Sequence, residues 1–352
     1  MKKSRVSSKW LWILGMLLLP LIYMGSQAYY HLLYHGIVEN VTFQSGDITL
    51  SGVLVRPATQ GPHPGIVLLH GSGQQTHDKW YYRIHTNEFV RKGFAVLSFD
   101  KRGSGSSGGN LQAASFQDLV SDGLAAVSFL RSQPDINPDQ IGLFGVSESG
   151  WFTPEIAAKD GNMAFIVNRV SPPLSWRETV SFEIRNDALK AGIPENDIED
   201  ALSLQSRIWQ FYIDSAGNAS YANGPERDEI NALITDMQKR PRLNDFFNPV
   251  AEYEAEAYAV RASKYTYDPY PFLLEIDIPM LYIMAGKDVN VPTEASVNLL
   301  EKLKQEQNKN ITIKTYPDAS HYLYRWDWLP LEGLYIPGYS DLIGSWAAEQ
   351  IR

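Results

Sequence analysis

Ser147, Asp288 and His321 have the types and the order for covalent acyl chemistry. Ser147 lies in Ile141-Gly-Leu-Phe-Gly-Val-Ser-Glu-Ser-Gly150, where a short apolar run meets Gly145, the serine follows two residues later, and a helix-competent stretch runs on to Ala158. Strand, glycine, serine, small residue, helix is the layout of a sharp turn that exposes a serine hydroxyl at a strand end. Small residues are needed two before and two after the serine because strand and helix pass close together there. The usual spacing is G-x-S-x-G; here Ser149 holds the last position and Gly150 comes one place late. Such a hydroxyl attacks a carbonyl only when a base takes its proton, and the base needs a third group to orient it. Of the seven histidines (His31, His35, His63, His70, His77, His85 and His321) only His321 follows Ser147. It ends the loop Pro317-Asp-Ala-Ser-His321, just after the apolar run Ile311–Tyr316. Between serine and histidine, Asp288 sits in the exit loop of another apolar run, Met280–Ala285, with Asp277 and Asp318 as alternative acids. The chemistry within reach is acyl transfer to water, which requires no metal or organic cofactor.

The elements that must position these residues can be read from the hydrophobic runs. Asn40–Ser45 and Ile48–Val55 flank Gly46-Asp47, a hairpin signal. Ile66–Leu69, Phe94–Phe99, Ile141–Phe144, Ala164–Val170, Met280–Ala285 and Ile311–Tyr316 have the length and continuity of strands buried on both faces. Helix-length segments lie between several of them, at Lys79–Lys92, Ser115–Arg131, Ser149–Lys159 and Thr293–Lys304, and a last helix is expected near Ser340–Arg352. This alternation predicts an α/β fold with a mainly parallel, doubly covered sheet. It breaks once. From about Leu174 to Asp268 there are helical segments (Trp176–Lys190, Glu195–Tyr212, Glu226–Lys239, Pro249–Ser263) and no convincing strand, bracketed by Pro172-Pro173 and Pro269-Tyr-Pro271. The expected organisation is a core of residues 37–173 and 269–352, with a helical cap, 174–268, inserted over the carboxyl edge of the sheet.

Taken together, the ordered motifs from Val41 to Arg352 resemble the α/β-hydrolase superfamily, specifically its bacterial serine esterase and serine-aminopeptidase-like branch. His70-Gly-Ser-Gly73 after a strand resembles that superfamily's oxyanion loop, and Asp100-Lys-Arg-Gly-Ser-Gly-Ser-Ser107 resembles its D-x-R-G-x-G-x-S segment. Gly286-Lys-Asp288 and His321 match its acid and base positions, in the chain order Ser, Asp, His. The resemblance implies a Ser147–Asp288–His321 triad. It also implies an oxyanion hole made by the N–H of Glu148 and an N–H of the His70–Gly73 loop, with Ser72 expected as that second donor. It leaves two substrate classes open: a carboxylic ester as the first expectation, a short peptide as the second. A membrane-tethered binding protein on an inactive hydrolase fold is a third expectation, and the intact triad argues against it.

Composition narrows the rest. The chain has 352 residues and a net charge of -9. Residues 1–28 contribute four basic residues and no acid, so the body is more acidic still, which argues against nucleic acid as a partner. The absence of cysteine excludes disulfides, thiolate metal sites and a cysteine nucleophile. His63, His70, His77 and His85 fit no known metal-ligand pattern. Gly103-Ser-Gly-Ser-Ser-Gly108 matches a dinucleotide fingerprint, but a polar linker rather than a helix follows it, so a loop near the site is the simpler reading. Lys2, Lys3, Arg5 and Lys9 precede an apolar run, Trp10–Met24, and Ser26-Gln-Ala28 is a passable cleavage site. Residues 1–30 are therefore expected to act as a signal-anchor holding the protein at a membrane, or else as a signal peptide cleaved near Ala28. Either arrangement puts the body outside the cytoplasm, because the basic flank stays inside.

Overall fold

The structure, a computed structural model, describes residues 33–244, 246–324 and 335–351, with scattered positions between 12 and 26. Most of the expected N-terminal segment 1–30 lies outside the described residues; among those described, no helix is long and apolar enough to cross a membrane.

Eight strands form one sheet: β1 (Ile37–Ser45), β2 (Ile48–Arg56), β3 (His63–Leu69), β4 (Ala95–Phe99), β5 (Ile136–Val146), β6 (Phe165–Arg169), β7 (Met280–Ala285) and β8 (Ile311–Tyr316). Their order is β1-β2-β4-β3-β5-β6-β7-β8. The pairs β1–β2 and β2–β4 are antiparallel, and the remaining neighbouring pairs, from β4–β3 to β7–β8, are parallel. The alternation within the strands shows why both faces are covered. Val67, Leu69, Leu97 and Leu143 face one apolar cluster with α2 (Phe116–Arg131) and α3 (Phe152–Asp160). Ile66, Leu68, Val96 and Phe144 face the other, with α1 (Trp80–Arg91) and, at the end of the chain, the helix Tyr339–Glu349. The expected strand pattern is therefore present throughout, with β5 longer at its start than its apolar run suggested.

Between β6 and β7 the chain forms α4 (Trp176–Lys190), α5 (Glu195–Ser215), α6 (Ala219–Ala222), α7 (Pro225–Met237), α8 (Ala255–Tyr265) and α9 (Tyr270–Glu275). The start of α4 is set by a capping box: the Ser175 hydroxyl accepts the Glu178 N–H, and the Glu178 carboxylate accepts the Ser175 N–H. Ile198, Phe211, Ile230, Ile234 and Tyr258 build a cluster of their own, separate from the two sheet cores. Trp176 and Tyr267 tie this region down to the sheet side. Two short helices, α6 and α9, were not expected, and α8 starts at Ala255 rather than Pro249. After β7, α10 (Thr293–Glu306) leads to β8, and α11 (Tyr339–Glu349) closes the described chain.

Candidate active site

The parallel strands deliver their functional residues at their carboxyl ends, where open α/β sheets bind ligands. Ser147 follows β5, Asp288 follows β7, His321 follows β8, and Gly71 and Ser72 follow β3. The three residues expected to act together are joined in one relay. The Nε2 atom of His321 lies 3.0 Å from the Ser147 Oγ, and its Nδ1 lies 2.8 Å from the Asp288 Oδ2. With Nδ1–H donating to the carboxylate, Nε2 is free to accept the serine proton. The other carboxylate oxygen of Asp288 accepts the N–H groups of Asn290 and Val291 at 2.9 and 3.0 Å, which fixes its plane. The alternative acids are elsewhere: Asp277 pairs with Lys309 at 2.6 Å, and Asp318 is exposed and pairs with Lys287 at 2.8 Å.

Ser147 has φ 53°, in the left-handed region that a residue with a side chain rarely adopts. The turn that imposes this is not quite the expected one. Residues Ser147–Trp151 form a 3₁₀ turn, and the α-helix starts only at Phe152. A methyl group on Gly145 would come within 2.6 Å of the Asn168 Oδ1, and one on Gly150 would collide with the Cβ of Ser171. The second glycine is thus needed at 150, not at 149. Ser149 fits because its hydroxyl is used: it accepts the Val146 N–H at 2.6 Å and lies within hydrogen-bond reach of the carbonyls of Leu69 (2.9 Å) and Val146 (3.0 Å).

The start of that turn and the loop after β3, the two segments expected to hold the oxyanion, meet at the cavity. The Gly71 N–H is already taken by the Tyr82 hydroxyl at 3.1 Å, and Ser72 comes next on the cavity wall. Lys101, from the segment after β4, reaches both pieces: its ammonium pairs with the Glu148 carboxylate and donates to the Gly71 carbonyl at 3.1 Å. Both side chains of the pair are largely buried.

The remaining expected features fall into structural places. His70 is buried against the edge of Tyr82, and burial drives its pKa from 6.5 down to about 3, with the nearby Lys101 ammonium adding to the effect. His77 pairs with Asp100 at 2.7 Å, and His85 accepts or donates to the Tyr339 hydroxyl at 2.8 Å. The 103–108 glycine loop wraps the Asp100 carboxylate, which accepts the Ser106 N–H at 2.8 Å, and no helix opens there.

Ser147 and His321 open into a cavity of about 330 Å³, whose wall includes Tyr81, Tyr82, Tyr322, Tyr324 and Tyr335 and which Glu183 of α4 reaches. Glu183 accepts a hydrogen bond from Asn290 at 2.6 Å. Three residues with a place here were not singled out from the sequence: Lys101, Tyr82 and Arg169. A charged residue at the carboxyl end of a buried parallel strand, as Arg169 closes β6 after Phe165, Ile166, Val167 and Asn168, points at the ligand crevice and was the available signal.

Residues 45–321, well over half of the chain, match the family described as X-Pro dipeptidyl-peptidase (S15 family). The chain belongs to the S15 family. Among curated relatives, this S15 chain is 26% identical over 302 residues to the esterase EstD of Thermotoga maritima, covering 81% of the chain and 61% of that protein. It is 31% identical over 131 residues to the quorum-quenching protein AidA of Acinetobacter baumannii, covering 37% of the chain and 42% of that protein. The chain thus spans less than two thirds of the length of either relative. Among solved structures, the Pyrococcus furiosus esterase Pf2001 superposes with a TM-score of 0.54 at 16% identity, covering 90% of each chain. At that identity the likeness shows the fold alone, and the fold is the α/β-hydrolase fold. Membership of S15 places the chain among the serine hydrolases.

Proposed function

We propose that the protein hydrolyses carboxylic esters through an acyl-enzyme on Ser147. The observation that carries this reading is the unbroken relay from Ser147 through His321 to Asp288. In the proposed reaction the Ser147 Oγ attacks the ester carbonyl and its proton passes to the His321 Nε2. Asp288 holds the imidazole in the required tautomer and stabilises its charged form. The developing oxyanion lies against the N–H groups of Glu148 and Ser72. His321 then protonates the departing alkoxide. A water, deprotonated by the same nitrogen, attacks the acyl carbon and releases the acid while Ser147 recovers its proton.

A peptide substrate is the second reading, and two observations favour it: the family's description, and Glu183, whose carboxylate faces the cavity with no cation paired to it among the described residues. Such a carboxylate suits a substrate amine. We also assign the body to the extracytoplasmic side of a membrane, held by its N-terminal segment. The basic residues before Trp10 support this, as do the helical, exposed Trp12, Met16, Leu19, Leu21 and Ile22.

The test pairs a fluorophosphonate probe with substrates. Labelling at Ser147 and turnover of p-nitrophenyl esters without turnover of aminoacyl-anilides is the expected result. Anilide turnover exceeding ester turnover would transfer the assignment to the peptide reading, and absence of labelling would remove the hydrolase reading itself.

A further inference from the structure

β6 ends at Arg169, whose Cα pairs with that of Val146, the residue just before the nucleophile. Arg169 lines the same cavity as Ser147 and His321, yet it is only 5% exposed. A guanidinium keeps its charge in any protein environment, and burying a charge without a counter-charge is costly. Among the described residues Arg169 forms no ion pair. It donates through Nη2 to the Tyr322 carbonyl, contacts the Tyr339 hydroxyl, and lies 5.5 and 5.8 Å from the ring centroids of Tyr335 and Tyr339. Its Nε is buried with no hydrogen-bond partner. The surrounding phenols bring no negative charge, since burial pushes Tyr335 and Tyr339 well above the ordinary tyrosine range. Other titratable groups on the cavity wall already have partners: Glu148 pairs with Lys101, His321 with Asp288, and Glu183 accepts from Asn290.

We propose that Arg169 is the counter-ion for a carboxylate carried by the substrate, so that the preferred substrates are acyl groups bearing a free carboxylate a few atoms from the scissile carbonyl. This rests on the ester-hydrolase reading and gives it a substrate class. The aromatic ring faces stacked about the guanidinium fix its orientation, and a planar carboxylate is the anion its fork matches. A purely structural role is the rival: through the Tyr322 carbonyl, Arg169 also braces the loop that carries His321.

Two substrates of one shape separate the roles: mono-4-nitrophenyl glutarate, which is anionic, and the 4-nitrophenyl ester of glutaric acid monoamide, which is neutral. The wild-type protein should show a kcat/KM ratio, anionic over neutral, of about tenfold or more. Arg169→Lys should retain part of that ratio, and Arg169→Gln should bring it to about one or below, whatever happens to the absolute rates. A wild-type ratio near one, or a ratio unchanged by Arg169→Gln while both rates fall together, overturns the proposal and leaves the brace. If the Arg169 variants do not fold, the wild-type ratio and competitive inhibition by free glutarate over glutaramide decide. Calorimetric titration of Ser147→Ala protein with the same two esters gives the ratio of dissociation constants without turnover. A protein that turns over neither ester therefore counts against the ester-hydrolase reading, while its dissociation constants still decide for or against the carboxylate site.

Discussion

Replacing Ser149 by glycine would restore the usual G-x-S-x-G spacing, and the structure predicts that this damages the protein. Ser149 is 1% exposed, and its hydroxyl is the partner of the Val146 N–H on one side and of the Leu69 carbonyl at the end of β3 on the other. Loss of the hydroxyl leaves a buried donor unpaired, at about 1–3 kcal/mol. A glycine in place of a side-chain-bearing residue in the turn adds about 0.5–1 kcal/mol of backbone entropy. Ser149→Gly should therefore be less stable by about 1.5–4 kcal/mol, and Ser149→Ala by the first term alone. Urea unfolding followed by tryptophan fluorescence reads both, and the gap between the two variants isolates the backbone contribution. Because the same hydroxyl holds Val146 beside a serine at positive φ, the second-order rate of fluorophosphonate labelling at Ser147 should also fall. A Ser149→Gly protein with the parental midpoint and labelling rate would refute the claim that this hydroxyl fastens the turn.

Ser147→Ala and His321→Ala should each lower kcat for ester turnover by about 10⁴–10⁶, with the double variant little worse because the two act as a unit; Asp288→Asn should cost as much or less. Lys101→Met leaves the Glu148 carboxylate buried and alone, so it should destabilise by about 3–5 kcal/mol and lower kcat more than it raises KM, with Glu148→Gln in the same chain recovering much of the stability; an unchanged kcat would detach Lys101 from the oxyanion side. His70 has a folded pKa of about 3 against 6.5 for the free group. The unfolded chain therefore binds a proton there as pH falls below 6.5 while the folded chain does not until about 3, so stability is lost on acidification across that window. At pH 4.5 this one group costs on the order of 2–3 kcal/mol. Urea midpoints at pH 7 and 4.5 should thus lie closer together in His70→Gln than in the parent.

Serine, acid and base were legible because chain order and strand exits are written locally: each follows an apolar run that becomes a parallel strand. Position in the chain left Asp277 and Asp318 open beside Asp288, and the motif resemblance selected Asp288; the fold supplies the physical reason, since only the tertiary arrangement brings one of the three carboxylates to His321. The role of Ser149 was not legible, because its partner, the Leu69 carbonyl, comes from a strand 80 residues earlier. Arg169 was hidden for a similar reason: inside an apolar run it reads as the end of a strand, and only its neighbours across the sheet and on α11 make it a buried charge. The short helices α6 and α9 hold too few residues to show a 3.6-residue period, and the 3₁₀ turn after Val146 looks in sequence like the first turn of the helix that follows it.

The collision that a methyl group on Gly150 would have with Ser171 fixes more than the shape of one turn. Ser171 stands two residues beyond β6, immediately before Pro172-Pro173 and the helices that lead to β7. The chain therefore leaves the sheet pressed against the residue three places after the nucleophile, and any shift of Ser171 is transmitted to the serine. Variation in length or sequence between β6 and β7 can enter only after this point. Substitutions among the helices between Pro172 and β7 that leave Ser171 in place should therefore leave the position of Ser147 unchanged.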